Sequence, residues 1–90
     1  MSRKEKVTRV IDGDTFETSR RKHPVRLAGV NAPEKGKKGA AQARKDLAAM
    51  ILGQEVAVKR VATDKYKRAV ANVKLGRNSV NKAMKEKLGG

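Results

Sequence analysis

The sequence predicts a mainly β chain with helices (α+β class), in which five short strands carry one helix between the third and fourth and a short helix at the end. Three observations predict it. Apolar residues come in short runs interrupted by Gly, Pro, Asn and Asp. One central stretch switches to helical spacing, with Ala40, Ala43, Leu47, Ala48 and Ile51 on one side. The length of 90 residues suits one domain, spanning 1–90.

The elements follow in order. Residues 1–5 are polar and are expected to fray. Residues 6–11 hold Val7, Val10 and Ile11 and read as strand one. Asp12, Gly13 and Asp14 supply turn chemistry, and residues 15–19 resume as strand two. A basic turn of Arg20, Arg21, Lys22, His23 and Pro24 leads to strand three, residues 25–30. Pro33 and Gly36 break the next segment into a loop. The helix covers residues 39–52, and Gly53 follows as its left-handed stop. Residues 54–61 alternate around Val56 and Val58 as strand four. Residues 62–67 form a polar loop, and residues 68–75 form strand five. Gly76, Arg77 and Asn78 turn the chain, and Ser79 caps a last helix over residues 80–88. Five strands with a helix after the third fit a Greek-key barrel of the OB type. That architecture does not by itself give a function.

Charge narrows the partners. Lys and Arg number 23 against 9 Asp and Glu, a net charge of +14. Such a field attracts polyanions, and binding that releases condensed counterions weakens steeply with salt. A solvated lysine-rich surface is the plainer alternative. The core is thin: 12 of the apolar residues are alanine and there is no Trp. With no cysteine and one histidine, disulfides, zinc–thiolate sites, a Cys nucleophile and a multi-His metal site are excluded. No run approaches the ~18 apolar residues of a membrane span. A cytoplasmic monomer without membrane or protein partner is expected.

Three segments hold the polar residues of interest: Val10-Ile11-Asp12-Gly13-Asp14-Thr15, then Val25-Arg26-Leu27 through Asn31-Ala32-Pro33-Glu34, then Thr63-Asp64-Lys65-Tyr66-Lys67-Arg68. In this order they resemble the staphylococcal nuclease (thermonuclease) family, with its pattern of IDGDT, RL-x-x-V-D-x-P-E and DKYGR. The resemblance runs from about Val7 to Leu88. It implies that Asp14, Asn31 and the Ala32 backbone carbonyl hold Ca²⁺, with Mg²⁺ or Mn²⁺ as other hard cations. An all-oxygen donor set suits such ions. It implies that Glu34 positions or deprotonates the attacking water, and that Arg26 and Arg68 clamp the scissile phosphate. Planar guanidinium forks match phosphate oxygens in pairs. Lys65 and Tyr66 match positions that touch a nucleotide phosphate, although Tyr66 can equally pack on the barrel rim. Arg20, Arg21 and Lys22 read as a surface that tracks a phosphate backbone. The implied reaction is metal-assisted hydrolysis of single-stranded DNA or RNA, leaving a 3′-phosphate.

Asn31 stands where the family usually has aspartate. An amide keeps a ligating oxygen but loses a charge, so cation affinity should fall. Lys67 replaces the glycine before the last arginine; if that position needs a left-handed backbone, the lysine strains the loop. Only Phe16 and Tyr66 are aromatic. Phe16 is expected in the core, so base stacking is poor and binding should show little base preference. Two other readings stand beside nuclease activity. One is a non-catalytic nucleic-acid-binding module on the same fold with a degraded metal site. The other is a structural protein of chromatin or the ribosome.

Overall fold

The computed structural model describes residues 4–89. The expected fraying of residues 1–3 lies outside them. Strand β1 (Lys4–Asp12) starts two residues earlier than the sequence suggested, so Lys4 and Glu5 belong to the sheet. It is followed by β2 (Thr15–Thr18), β3 (Val25–Leu27), α1 (Ala40–Ile51), β4 (Glu55–Thr63), β5 (Ala69–Leu75), β6 (Asn78–Ser79) and α2 (Val80–Lys87).

Six strands are present where five were expected. The sixth arises because Gly76 takes φ 61, which lets Gly76 and Arg77 return the chain in two residues. Lys74 then pairs with Ser79 and Leu75 with Asn78. Strand β3 ends at Leu27 instead of Val30, because Gly29 has φ 71 and turns the chain. Strand β4 runs on to Thr63, since Thr63 pairs with Ala69.

The sheet order is β3-β2-β1-β4-β5-β6, with β3 also paired to β5. The β3–β5 contact is parallel, matching Val25 with Ala69 and Leu27 with Ala71. The other pairings are antiparallel. Pairing therefore runs round from β3 through β2, β1, β4 and β5 back to β3, while β6 extends the far half of β5. Register shifts in β1 and between Arg60 and Ala62 of β4 let these nine-residue strands bend.

Phe16, Leu27, Leu47, Ile51, Val73 and Met84 are fully buried inside. Each such side chain contributes about 1.5–3 kcal/mol by leaving water. Helix α1 presents Ala40, Ala43, Leu47 and Ile51 to the sheet, the spacing its sequence showed. Helix α2 is capped by Ser79, whose hydroxyl accepts from the Lys82 N–H at 3.2 Å. It is tied to the sheet by Asn81, which is 7% exposed. The Asn81 amide donates to the carbonyls of Ala28 and Ala71 and accepts from the Val73 N–H. No helix among the described residues is long and apolar enough to cross a membrane.

Candidate functional site

The tight turn between β1 and β2 fixes the first group. Gly13 is required there by close approach: a Cβ would lie 2.5 Å from the Ala43 Cβ of α1 and 2.9 Å from that of Ala32. Asp14 follows it in the chain and is buried. Its backbone carbonyl accepts from the Leu27 N–H at 2.8 Å. Its Oδ1 accepts from the Thr15 hydroxyl at 2.8 Å, and its Oδ2 accepts from the Ala32 N–H at 3.1 Å.

Arg26 projects from β3 into the same cluster. Its Nη2 donates to Asn31 Oδ1 at 2.9 Å and lies 3.6 Å from Asp14 Oδ2. The structure thus brings together Asp14, Arg26, Asn31 and Ala32. One guanidinium nitrogen spans the two side-chain oxygens that the resemblance assigns to a cation. Among the described residues, no group of three His, Cys, Asp or Glu side chains gathers to hold a metal. Glu34 lies two residues past Ala32 in the following loop, with an exposed side chain.

The second group sits at the entry to β5. Arg26 pairs in register with Val70. Arg68 stands two positions before Val70, just outside the start of β5. Arg68 is held by Asp64. The Asp64 carboxylate accepts from the Tyr66 N–H at 2.9 Å, the Arg68 N–H at 2.9 Å and the Arg68 Nε at 2.6 Å. Partial burial pushes the Asp64 pKa up, but the hydrogen bonds and charge of Arg68, with the Tyr66 N–H, outweigh it and hold it below the usual carboxylate range. The exposed Tyr66 ring is flanked by Lys65 Nζ and by the Arg68 guanidinium, each 5.2 Å from its centre. Lys67 is the one non-glycine residue with positive φ (66°) among the described residues.

The basic turn divides. Arg20 and Lys22 are exposed, whereas the Arg21 Nε and Nη2 grip both oxygens of Glu5 at 2.8–3.1 Å. Glu5 is buried and also accepts from the Thr18 hydroxyl at 2.7 Å. Arg21 therefore has a structural partner in addition to any role toward phosphate. Asp64 and Glu5 were missed by sequence reasoning as organisers. The signal for Asp64 was present: an Asp two residues before Tyr66 is the spacing at which a carboxylate caps its own turn.

A family model described as staphylococcal nuclease homologue matches residues 24–87. The chain belongs to that family. The match spans Arg26, Asn31, Glu34 and Arg68, while Asp14 precedes it. This staphylococcal nuclease homologue is similar to Protein ParB of Escherichia coli, 41% identical over 69 residues that cover 74% of this chain and 39% of that protein. It is also similar to the micrococcal nuclease of Shigella flexneri, 39% identical over 69 residues that cover 74% of this chain and 40% of that protein. The chain thus spans about two fifths of the length of these curated relatives.

Proposed function

We propose that this protein binds single-stranded DNA or RNA and hydrolyses its phosphodiester bonds with the help of a divalent cation. The observation that carries this reading is the convergence of Arg26 with Asp14 and Asn31. The sheet that supports them is read as an OB-type Greek-key barrel. The relative named as a micrococcal nuclease favours the same chemistry.

Asp14, Asn31 and the Ala32 carbonyl would hold the cation, because they are hard oxygen donors that fit Ca²⁺, Mg²⁺ or Mn²⁺. Such an ion would supply positive charge to offset that of the phosphate. Arg26 and Arg68 grip the phosphate oxygens and stabilise the charge that builds as phosphorus becomes five-coordinate. Glu34 takes a proton from the attacking water. The new P–O bond forms as the bond to the 5′ oxygen breaks, and that oxygen takes a proton from solvent water, leaving a 3′-phosphate and a 5′-hydroxyl. Lys65 and Tyr66 contact a neighbouring phosphate, and Arg20, Arg21 and Lys22 add to the cationic surface. Backbone contacts of this kind carry no base preference.

A second reading is favoured by one specific observation. Arg26 lies across Asn31 Oδ1, at a position with no carboxylate of its own to draw a cation in. On that reading the chain binds strands without cutting them. Cleavage of a labelled single strand across Ca²⁺, Mg²⁺ and Mn²⁺ separates the two. Glu34→Gln should lower the rate by about 10²–10⁴. An unchanged rate refutes the assignment, and strong salt-sensitive binding without cutting under any of the three ions establishes the binding-only reading.

A further inference from the structure

The β2–β3 turn, the end of β4 and the loop into β5 border an open cleft of about 260 Å³. Arg21, Lys22, His23, Arg60, Thr63 and Lys67 line it, with Ala69, and no carboxylate is among them. Two of its four permanent cations are pre-oriented. Glu5 holds Arg21, and the Thr63 hydroxyl accepts from Arg60 Nη1 at 3.1 Å. Little side-chain freedom is left for them to lose when a ligand arrives. Lys67 supplies an independent sign. A non-glycine residue in the left-handed region costs about 1–2 kcal/mol. The position that bears this strain carries a cation on the wall of a cleft already rich in cations, and strain held in this way points to function. Glu5 neutralises Arg21, but Lys22, Arg60 and Lys67 remain gathered as like charges that repel one another, and a bound anion relieves that repulsion.

We propose that this cleft is a second phosphate site, which takes a backbone phosphate of the bound strand beside the one gripped by Arg26 and Arg68. The proposal rests on the reading of Arg26 and Arg68 as phosphate ligands. The two sites share a wall. Lys67 and Arg68 are consecutive, with Cα atoms ~3.8 Å apart. The Ala69 N–H donates to the Pro24 carbonyl at 3.1 Å, which stitches the His23 turn to the Lys67 loop. A strand leaving the first site along this wall meets the second without crossing an acidic group of the cleft.

The test measures binding of a fluorescent single-stranded oligonucleotide by anisotropy, with EDTA present to prevent cutting, over a range of salt. Lys67→Gly and Arg60→Gln should each flatten the slope of log K against log salt by about 0.7, one phosphate contact on a single strand. Each should weaken binding about five- to tenfold at low salt, equally for sequences of different base composition. Lys67→Gly should also raise the melting temperature, since glycine accepts φ 66 without strain. Weaker binding by a more stable protein is a result that a purely structural lysine cannot give. If both variants keep the parent slope while Arg26→Ala flattens it, the second site is refuted and the first stands. If Arg26→Ala leaves both slope and affinity unchanged, the first site fails and the proposed adjacency fails with it.

Discussion

Asn31→Asp tests the proposed cation site without relying on turnover. The change replaces the amide oxygen that now accepts from Arg26 at 2.9 Å with a charged one. Asn31 is exposed, so the dielectric of bulk water applies. A unit charge about 2.4 Å from a divalent ion then contributes about 3.5 kcal/mol. One effect opposes it. A carboxylate at 31 holds Arg26 in a charge-assisted bond, about 1 kcal/mol stronger than the amide's, which the ion must displace. About 2.5 kcal/mol remains, an increase in Ca²⁺ affinity of roughly 70-fold. Isothermal titration of Ca²⁺ into both proteins at low ionic strength measures it directly. A change smaller than about threefold, or weaker binding, means that residue 31 does not face the ion and refutes the pocket built on it.

Three further outcomes follow from the packing. Gly13→Ala forces a methyl against Ala43 and Ala32 and should destabilise by about 1–3 kcal/mol in urea unfolding; Ala43→Gly in the same chain should restore part of that loss. Glu5→Gln leaves the partly exposed Arg21 without its charged partner. A loss of about 2 kcal/mol is expected, below the range for fully buried pairs, which calorimetry should read as a fall in Tm of about 10 °C. Asp64 has a depressed pKa. Its contribution is therefore complete above the unfolded value of about 3.9 and is lost as pH falls through the lower folded value. The urea midpoint of the wild type should exceed that of Asp64→Asn by a constant margin above about pH 5, and the margin should shrink below about pH 4.

Much of the fold was legible because burial leaves a period in the sequence. Ala40, Ala43, Leu47 and Ile51 mark α1 to within a residue at each end, and Val56 with Val58 marks β4. What escaped was set by contacts between distant segments. Glu5 reads as a solvated acid near a chain end; it is buried because Arg21 and Thr18, on another strand and its turn, reach it. Asn81 reads as a polar helix residue, yet it satisfies three backbone groups on β5 and the loop after β3. The extension of β4 to Thr63 depends on where β5 docks, which no local pattern states. For the site, residue types were legible from the motifs, and the positive φ at Lys67 followed the expectation that this place favours glycine. The lie of Arg26 across Asn31 was not, because an arginine's endpoint depends on which acceptor lies within its reach.

The parallel pairing of Val25 with Ala69 has a consequence in time. A chain emerging from a ribosome presents Asp14, Arg26 and Asn31 well before the segment that carries Arg68. Until β5 arrives, β3 keeps a bare edge, and closing so long a loop is a slow, entropically opposed event. The β3–β5 seam closes only when that event is complete. A growing chain thus brings the segments that carry Arg26 and Arg68 to neighbouring strands in one late step, and a half-folded one holds them apart.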